Sequence, residues 1–157
     1  MEEHIKFMRE AIRISRENVE SGKGGPFGAV VVKNGEIIAS GGNEVTSSND
    51  PTAHAEVVAI RKACAALGSF QLDDCDIYCS CEPCPMCLGA IYWARPNKIF
   101  YANTKVDAAE INFDDHFIYQ EIDLPNHKRS LPTVQLLRDE AIDVFHKWKS
   151  SSVKTEY

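Results

Sequence analysis

The sequence has no long uninterrupted run of apolar residues, although 44% of its 157 residues are hydrophobic. A membrane-spanning helix needs about 20 consecutive apolar residues, so we expect no membrane span. The first residues, Met1-Glu2-Glu3-His4, are acidic and polar. They are unlike the basic start and apolar centre of a signal peptide, so we expect no export signal. These absences predict a globular protein of the cytoplasm.

Basic residues are also in short supply: 17 Lys and Arg stand against 23 Asp and Glu, giving a formal charge of −6 at pH 7. A protein that follows nucleic-acid phosphates over a broad surface needs clustered Lys and Arg. Nucleic acid is therefore not the expected partner. The length suits one domain with a sizeable core, and no internal repeat divides it, so residues 1–157 are predicted to form a single domain.

The six cysteines are the most informative feature that is present. Without an export signal they are expected to be thiols or metal ligands rather than disulfides. Cys84 and Cys87 are three residues apart, and such residues share one face of a helix. Pro85 between them suits a first helical position, and a helix N-terminus favours the thiolate form that binds metal. This stretch predicts half of a metal site at the start of a helix over 85–94.

His54 and Glu56 supply the other half of the predicted site. Zinc held by three protein ligands keeps its fourth position open for water, and a neighbouring glutamate can take that water's proton. Alone, His54 would be read as a satisfied core residue and Glu56 as part of a solvated helix face. Read with Pro83, Cys84 and Cys87, they complete the signature H-x-E…P-C-x-x-C of zinc deaminases acting on nucleic bases. One zinc ion per chain is predicted.

The two-residue separation of His54 and Glu56 limits where on a helix this site can lie. Residues two apart on a regular helix point to different sides, so His54 and Glu56 are not expected to meet on a helix interior. They can border one pocket if the pocket lies at the helix start, or if the longer glutamate curls back.

Two other metal sites use Cys81 as well. Cys81, Cys84 and Cys87 could open an iron–sulfur motif, but the position where the fourth cysteine is expected is Ile91. A closed structural zinc site of three cysteines and His54 is the second alternative. Cys64, Cys75 and Cys79 are read as ordinary buried or partly buried thiols.

The remaining pattern predicts alternating helices and strands. Asn34-Gly35 between two apolar runs indicates a β-hairpin, and Asp50-Pro51 is typical of a helix start. We expect a first helix carrying Ile5, Met8, Ile12 and Val19, strands over 27–32, 37–40, 77–79, 98–102 and 133–136, and helices over 51–67, 85–94 and 139–149. Strands that alternate with helices favour an α/β fold with helices covering a sheet.

The stretches 49–56 and 81–90 resemble the cytidine-deaminase-like zinc deaminases, in the branch that holds guanine deaminases and tRNA adenosine deaminases. Stretches 24–29, 90–96, 113–115 and 154–157 are similar to the guanine deaminases of bacteria within that branch. The resemblance implies a three-layer α/β/α fold with a mixed central sheet of about five strands. It also implies a homodimer that exchanges its C-terminal segments.

The resemblance further implies purine catabolism, by hydrolysis of the purine base guanine to xanthine and ammonia. A zinc-activated water would attack C2 while Glu56 carries the proton and Asp115 assists the leaving amine. Implied base contacts come from the side chains of Phe27, Asn43 and Trp93, the backbone N–H of Ala55, and Tyr157 of the partner. Without the resemblance, Phe27 and Trp93 could be core aromatics, Asn43 a turn cap, Asp114 and Asp115 a solvated loop, and Tyr157 a disordered end.

Other functions share these motifs. Deamination of adenosine in tRNA would need a basic surface around the pocket. Deamination of cytosine or deoxycytidylate uses the same chemistry, the latter with a phosphate clamp that we do not find in the sequence. A zinc-stabilised binding module is the non-enzymatic alternative, and Glu56 beside a ligand argues against it, because a structural site has no use for a proton shuttle.

Overall fold

A computed structural model describes residues 1–113 and 115–157, and these divide into two units, Met1–His116 and Phe117–Tyr157. The first unit carries the sheet and the predicted metal motif. Its elements are α1 (Glu2–Glu20), β1 (Gly28–Lys33), β2 (Glu36–Gly42), α2 (Val45–Ser48), α3 (Ala55–Leu67), β3 (Cys75–Cys81), α4 (Pro85–Ala94), β4 (Lys98–Asn103) and α5 (Lys105–Glu110).

The sheet is mixed, with the strand order β2-β1-β3-β4. β1 pairs antiparallel with β2 and β3, whereas β3 and β4 run parallel and are joined through α4. The expected count of about five strands is wrong, because the described residues form a sheet of four. The missing strand is the one predicted over 133–136, where the backbone is irregular.

Alternate residues of the central strands face two different layers of helix. Ala29 and Val31 of β1 join a core with Ala59 of α3 and Ile91 of α4. Their neighbours Val30 and Val32 pack with Phe7 and Ala11 of α1, and with Tyr78 of β3. Helices therefore cover both faces of the sheet, and the predicted three-layer α/β/α architecture is confirmed.

The hairpin joining β1 to β2 turns at the predicted Asn-Gly pair. Asn34 and Gly35 both have positive φ, 52° and 78°. Positive φ at both central positions is the geometry of a type I′ turn, whose twist matches that of the flanking strands.

Helix α3 begins four residues later than the sequence indicates. Asp50 does not cap it; the Asp50 carboxylate instead accepts hydrogen bonds from the backbone N–H and the hydroxyl of Thr52, at 2.8 and 2.7 Å. The Asp50-Pro51 pair thus forms a local turn of its own, a competing use of the same residues. The residue that precedes the first helical turn is His54.

The second unit is helical and has no buried side chain among its residues 117–157. α6 (His116–Asp123) leads into it, a short 3₁₀ turn follows over Asn126–Lys128, and α7 (Arg138–Ser150) confirms the predicted last helix. Arg129 ties the turn to α6 by donating to the carbonyl oxygens of Glu121 and Leu124, at 3.0 and 3.1 Å. Within the described ranges, every helix is too short or too polar to cross a bilayer.

Candidate active site

The predicted metal ligands stand at the starts of two helices. His54 is the residue before α3 and Cys84 the residue before α4, and both have extended backbones. The Cys84 sulfur accepts from the backbone N–H of Cys87 at 3.5 Å, so it caps the helix that Pro85 begins. Free N–H groups and the helix dipole at such positions stabilise negative charge on sulfur. Helix geometry therefore prepares this pair for a cation.

The spacing of the three ligand atoms fits zinc. His54 Nδ1 lies 3.5 Å from Cys84 Sγ and 3.5 Å from Cys87 Sγ, and all three atoms lie within 4.8 Å of one another. In a tetrahedral site, Zn–N and Zn–S bonds of ordinary length place nitrogen and sulfur about 3.5 Å apart. Among the residues that the structure describes, the His, Cys, Asp and Glu side chains placed closely enough to hold a metal ion are these three.

Glu56 lies against this group and is buried, with 8% of its surface exposed. Its Oε2 accepts a hydrogen bond from Cys87 Sγ at 3.4 Å. The spacing condition is met in the first of the two ways considered: His54 precedes the helix, Glu56 is in its first turn, and the site lies at the helix start. Burial raises the pKa of Glu56, which suits a group that must both accept and return a proton.

Charge is shared unequally between the two thiols. Contact with Cys87 lowers the pKa of Cys84, and the same contact raises the pKa of Cys87. The hydrogen bond to Cys84 raises the pKa of His54, with smaller contributions from the charges of Glu56 and Asp115. Cys84 is therefore the more acidic of the two thiols. Because the charge of Asp115 contributes to the pKa of His54, the Asp115 carboxylate lies close enough to act on the site.

Cys81 stands apart from the metal group. Its thiol donates to the carbonyl oxygen of Thr104 at 3.7 Å, and burial raises its pKa to about 11. A thiol that keeps its proton and bonds a carbonyl is poorly suited to bind metal. This geometry supports neither the iron–sulfur motif nor the closed three-cysteine site.

Cys81→Ser is expected to retain one zinc per chain, because serine can make the same hydrogen bond to the Thr104 carbonyl without touching the ligands. Metal analysis of the purified variant against wild type provides the test. Stoichiometric loss of zinc would show that Cys81 is a ligand and that the site is structural.

Two of the predicted base-contacting side chains lie on loops of the first unit. Phe27 meets Phe113 edge-on, with ring centroids 5.0 Å apart and planes at 90°. Asn43 is 7% exposed, and its side-chain oxygen accepts from the backbone N–H of Val45 at 3.2 Å. That bond is the turn cap considered as an alternative, and the amide's NH₂ group carries two further donors. Phe113 belongs to the stretch 113–115 that resembles guanine deaminases, and the structure places its ring against a predicted base contact, Phe27.

The other predicted contacts occupy different surroundings. Ala55 is fully buried as the first residue of α3, where backbone N–H groups have no partner within the helix. Trp93 lies near the end of α4 and is 63% exposed. Tyr157 belongs to the second unit and is 69% exposed. Asp115 is half-buried, whereas Asp114 is outside the described residues.

The site has a counterpart among known families. Residues 1–103, which include the three ligand candidates and Glu56, match the cytidine and deoxycytidylate deaminase zinc-binding region. The chain belongs to this zinc-binding deaminase family.

Within this deaminase family, similarity to a guanine deaminase extends along nearly the whole chain. The guanine deaminase of Bacillus subtilis is 58% identical over 98% of this chain and 99% of its own. Its crystal structure superimposes with a TM-score of 0.95, covering 98% of both chains. A solved structure in complex with 8-azaguanine is 33% identical, with a TM-score of 0.67, over 69% of this chain and 63% of its own. The tRNA-specific adenosine deaminase of Aquifex aeolicus is 41% identical, over 61% of this chain and 63% of its own.

Proposed function

We propose that this protein is a zinc-dependent aminohydrolase that converts guanine and water to xanthine and ammonia. The observation that carries the chemistry is the buried Glu56 carboxylate, 3.4 Å from Cys87 Sγ at a His-Cys-Cys group of zinc spacing. A binding module would have no reason to bury a carboxylate there. The substrate is supported by 58% identity with a guanine deaminase along nearly the whole chain.

His54, Cys84 and Cys87 are the proposed zinc ligands. When bound there, Zn²⁺ supplies a Lewis acid that lowers the pKa of a coordinated water from 15.7 to about 7. Glu56 would take one proton from the attacking water and give it to the ring nitrogen next to C2. It would then carry the second proton, from the hydroxyl formed at C2, to the amino group. A C–O bond forms at C2 and the C2–N bond breaks, so the amino group leaves as ammonia. Glu56 is returned to its starting state.

Side chains around the group are proposed to hold and orient the base. Phe27 supports the ring face, and its edge-on contact with Phe113 fixes the angle of its own ring. Asn43 donates from its amide NH₂, and the backbone N–H of Ala55 donates from the start of α3. Asp115 assists proton transfer to the leaving amine, in keeping with its charge reaching His54. Trp93 is the proposed second aromatic wall.

We also propose a homodimer of single deaminase domains, in which Tyr157 completes the pocket of the partner subunit. Unit 117–157 buries no side chain within its own chain. Several of its large apolar residues are more than 60% exposed: Leu131, Val134, Leu136, Leu137, Val144 and Phe145. Apolar surface of this extent in one short segment calls for a covering partner. The C-terminal segment is therefore the part we propose to be exchanged.

A cytoplasmic location is proposed from the chemistry of the cysteines. All six are free thiols, and two of them belong to the candidate metal group. Thiols of this kind persist in the reducing compartments of the cell.

Ammonia release tests the proposed reaction and its substrate together. The zinc-loaded protein would be supplied in turn with guanine, adenine, cytosine, deoxycytidylate and a tRNA anticodon stem. We expect guanine to be turned over fastest. A clear preference for another member of this panel would overturn the substrate and leave the zinc chemistry in place, and the absence of turnover with all of them would favour a binding module.

Deleting Tyr157 is expected to reduce guanine turnover while leaving the folding of the chain intact, because a terminal exposed residue contributes little to the core. Steady-state kinetics and thermal unfolding of the shortened protein give the two readouts. Deletion of Met1 from the opposite end, which is 92% exposed, is the matched control. A rate equal to that of wild type would remove the terminal tyrosine from the pocket.

A further inference from the structure

Asn18 is a buried polar residue of α1 to which the chemistry above assigns no role. It is 6% exposed, and its side-chain NH₂ group donates two hydrogen bonds. One goes to the carbonyl oxygen of Gly25 at 2.7 Å, and the other to the carbonyl oxygen of Asn43 at 2.9 Å. These two acceptors belong to different loops, separated by most of the β1–β2 hairpin. The two loops leave the open end of this hairpin, where Gly28 pairs with Gly42, and the Asn18 side chain bonds to both.

The loops joined in this way are the ones that carry proposed base contacts. Gly25 is two residues before Phe27, and the N–H of Phe27 donates back to the Gly25 carbonyl at 2.8 Å. The N–H of Asn43 donates to the Phe27 carbonyl at 3.2 Å, which closes the network. Displacing the Asn18 amide would therefore move an aromatic wall and an amide donor together.

Glycines let the network close. A Cβ on Gly24 would collide with the Asn43 carbonyl oxygen and would lie 3.0 Å from Asn18 Nδ2. A Cβ on Gly42 would lie 2.9 Å from Asn18 Oδ1. Both loops approach Asn18 more closely than a side chain would permit, so their positions depend on what stands at residue 18.

We infer that Asn18 is a positioning residue for the substrate: its amide sets the separation of Phe27 and Asn43 and thereby the fit of the base between them. Two donors on one planar group are what this site requires, since both acceptors are backbone carbonyl oxygens. Aspartate has the same shape and no NH₂ donor, so it would place a carboxylate against two carbonyl oxygens. The inference rests on the proposed function, because it gives Phe27 and Asn43 their roles.

Asn18→Asp is the decisive variant. We expect the KM for guanine to rise about tenfold with kcat changed by less than about threefold, since these loops contact the base and supply neither a metal ligand nor the proton carrier. Asn18 borders an open cavity of about 560 Å³ that is also lined by two lysines and three glutamates, so the new carboxylate faces solvent and charges of both signs. Zinc content is expected to stay at one per chain.

Phe7→Leu is the matched control for lost stability. Phe7 is buried on the same helix, where its ring packs against Tyr78 at 5.3 Å, far along α1 from the two loops. We expect this variant to unfold at a lower temperature and to keep the wild-type KM. Hydrogen exchange gives a readout that needs no substrate: the amides of Phe27 and Asn43 are expected to exchange faster in Asn18→Asp and normally in Phe7→Leu.

Gly24→Ala disturbs the same two loops while leaving Asn18 in place. It serves as the test of the positioning role if Asn18→Asp does not fold. It is expected to raise KM in the same way, because its Cβ pushes the two loops apart. An unchanged KM in a folded variant of either kind, or an equal rise in Phe7→Leu, would overturn the positioning role. If the wild-type protein does not deaminate guanine, the proposed function fails instead, and unchanged exchange at Phe27 and Asn43 would count against the network separately.

Discussion

Replacing Glu56 by glutamine is expected to leave one zinc per chain and to lower guanine turnover by about 10²- to 10⁴-fold, the usual contribution of a general acid–base. Glutamine has the shape of glutamate, and its amide NH₂ can donate to the Cys87 sulfur, which is a thiolate once zinc is bound. Glutamine cannot accept a proton from water. The expected result is a folded, metal-loaded protein that has lost its catalytic step.

The size of this effect follows from where Glu56 lies. The carboxylate is 8% exposed, so bulk water cannot easily replace it as proton carrier. Its pKa is raised by that burial, which narrows the gap between the proton affinities of the carboxylate and of an activated water. Turnover and metal content measured on the same sample separate the proton-transfer role from a ligand role.

Glu36→Gln is the matched control, because Glu36 is an exposed residue at the start of β2, outside the proposed site. It makes the same change in charge and is expected to keep the wild-type rate. Activity of Glu56→Gln equal to that of this control would remove Glu56 from the proton path. Loss of zinc from Glu56→Gln would instead show that the carboxylate helps to hold the metal.

Removing a ligand is expected to abolish both zinc binding and turnover. In Cys84→Ser a hydroxyl replaces a sulfur whose pKa is lowered by its contact with Cys87, so the site exchanges an acidic thiol for a group that keeps its proton. We expect zinc content well below one per chain after dialysis and no measurable ammonia release. Zinc bound by His54 and the two cysteines would link the start of α3 to the start of α4, so the unfolding temperature should fall as well when a ligand is lost.

Cys64→Ser provides the matched control, since Cys64 is a free thiol within α3 that is not in the metal group. It is expected to keep its zinc and its rate. Treating wild-type protein with a chelator should reproduce the Cys84→Ser result, and added zinc should restore wild-type activity and not that of the variant. Full zinc content in Cys84→Ser would contradict the ligand assignment.

Helices and strands were predicted correctly where the local sequence pattern and the tertiary contacts favour the same structure. The Asn34-Gly35 turn and the helix after Cys84 follow from backbone chemistry that is local to a few residues. The pattern at Asp50-Pro51 failed because an aspartate can cap a helix or close a turn on Thr52, and the two uses look alike in sequence.

The sheet shows a second limit. Residues 133–136 have the apolar, β-branched character of a strand, yet no strand forms there. Strand formation depends on a pairing partner as much as on propensity, and a single sequence does not reveal the partner. The expectation of a fifth strand was wrong for this reason.

The metal group was predictable because its members lie at fixed spacings from helix starts. The role of Asn18 was not, since an asparagine in an amphipathic helix has no sequence pattern that distinguishes a surface residue from a bridge between two loops. Its two hydrogen bonds become visible only when Gly25 and Asn43 are brought together by folding. The contact between Phe113 and Phe27 was not predicted for a similar reason, because it joins residues far apart in the sequence.

The central claim is that this chain hydrolyses guanine, and product analysis in isotopically labelled water tests it most directly. Zinc-loaded protein and guanine would be incubated in H₂¹⁸O, and the purine product identified by mass spectrometry. We predict xanthine carrying one ¹⁸O atom, released together with one ammonia. Unchanged guanine, under conditions in which the same sample deaminates adenosine in a tRNA anticodon stem, would contradict the account.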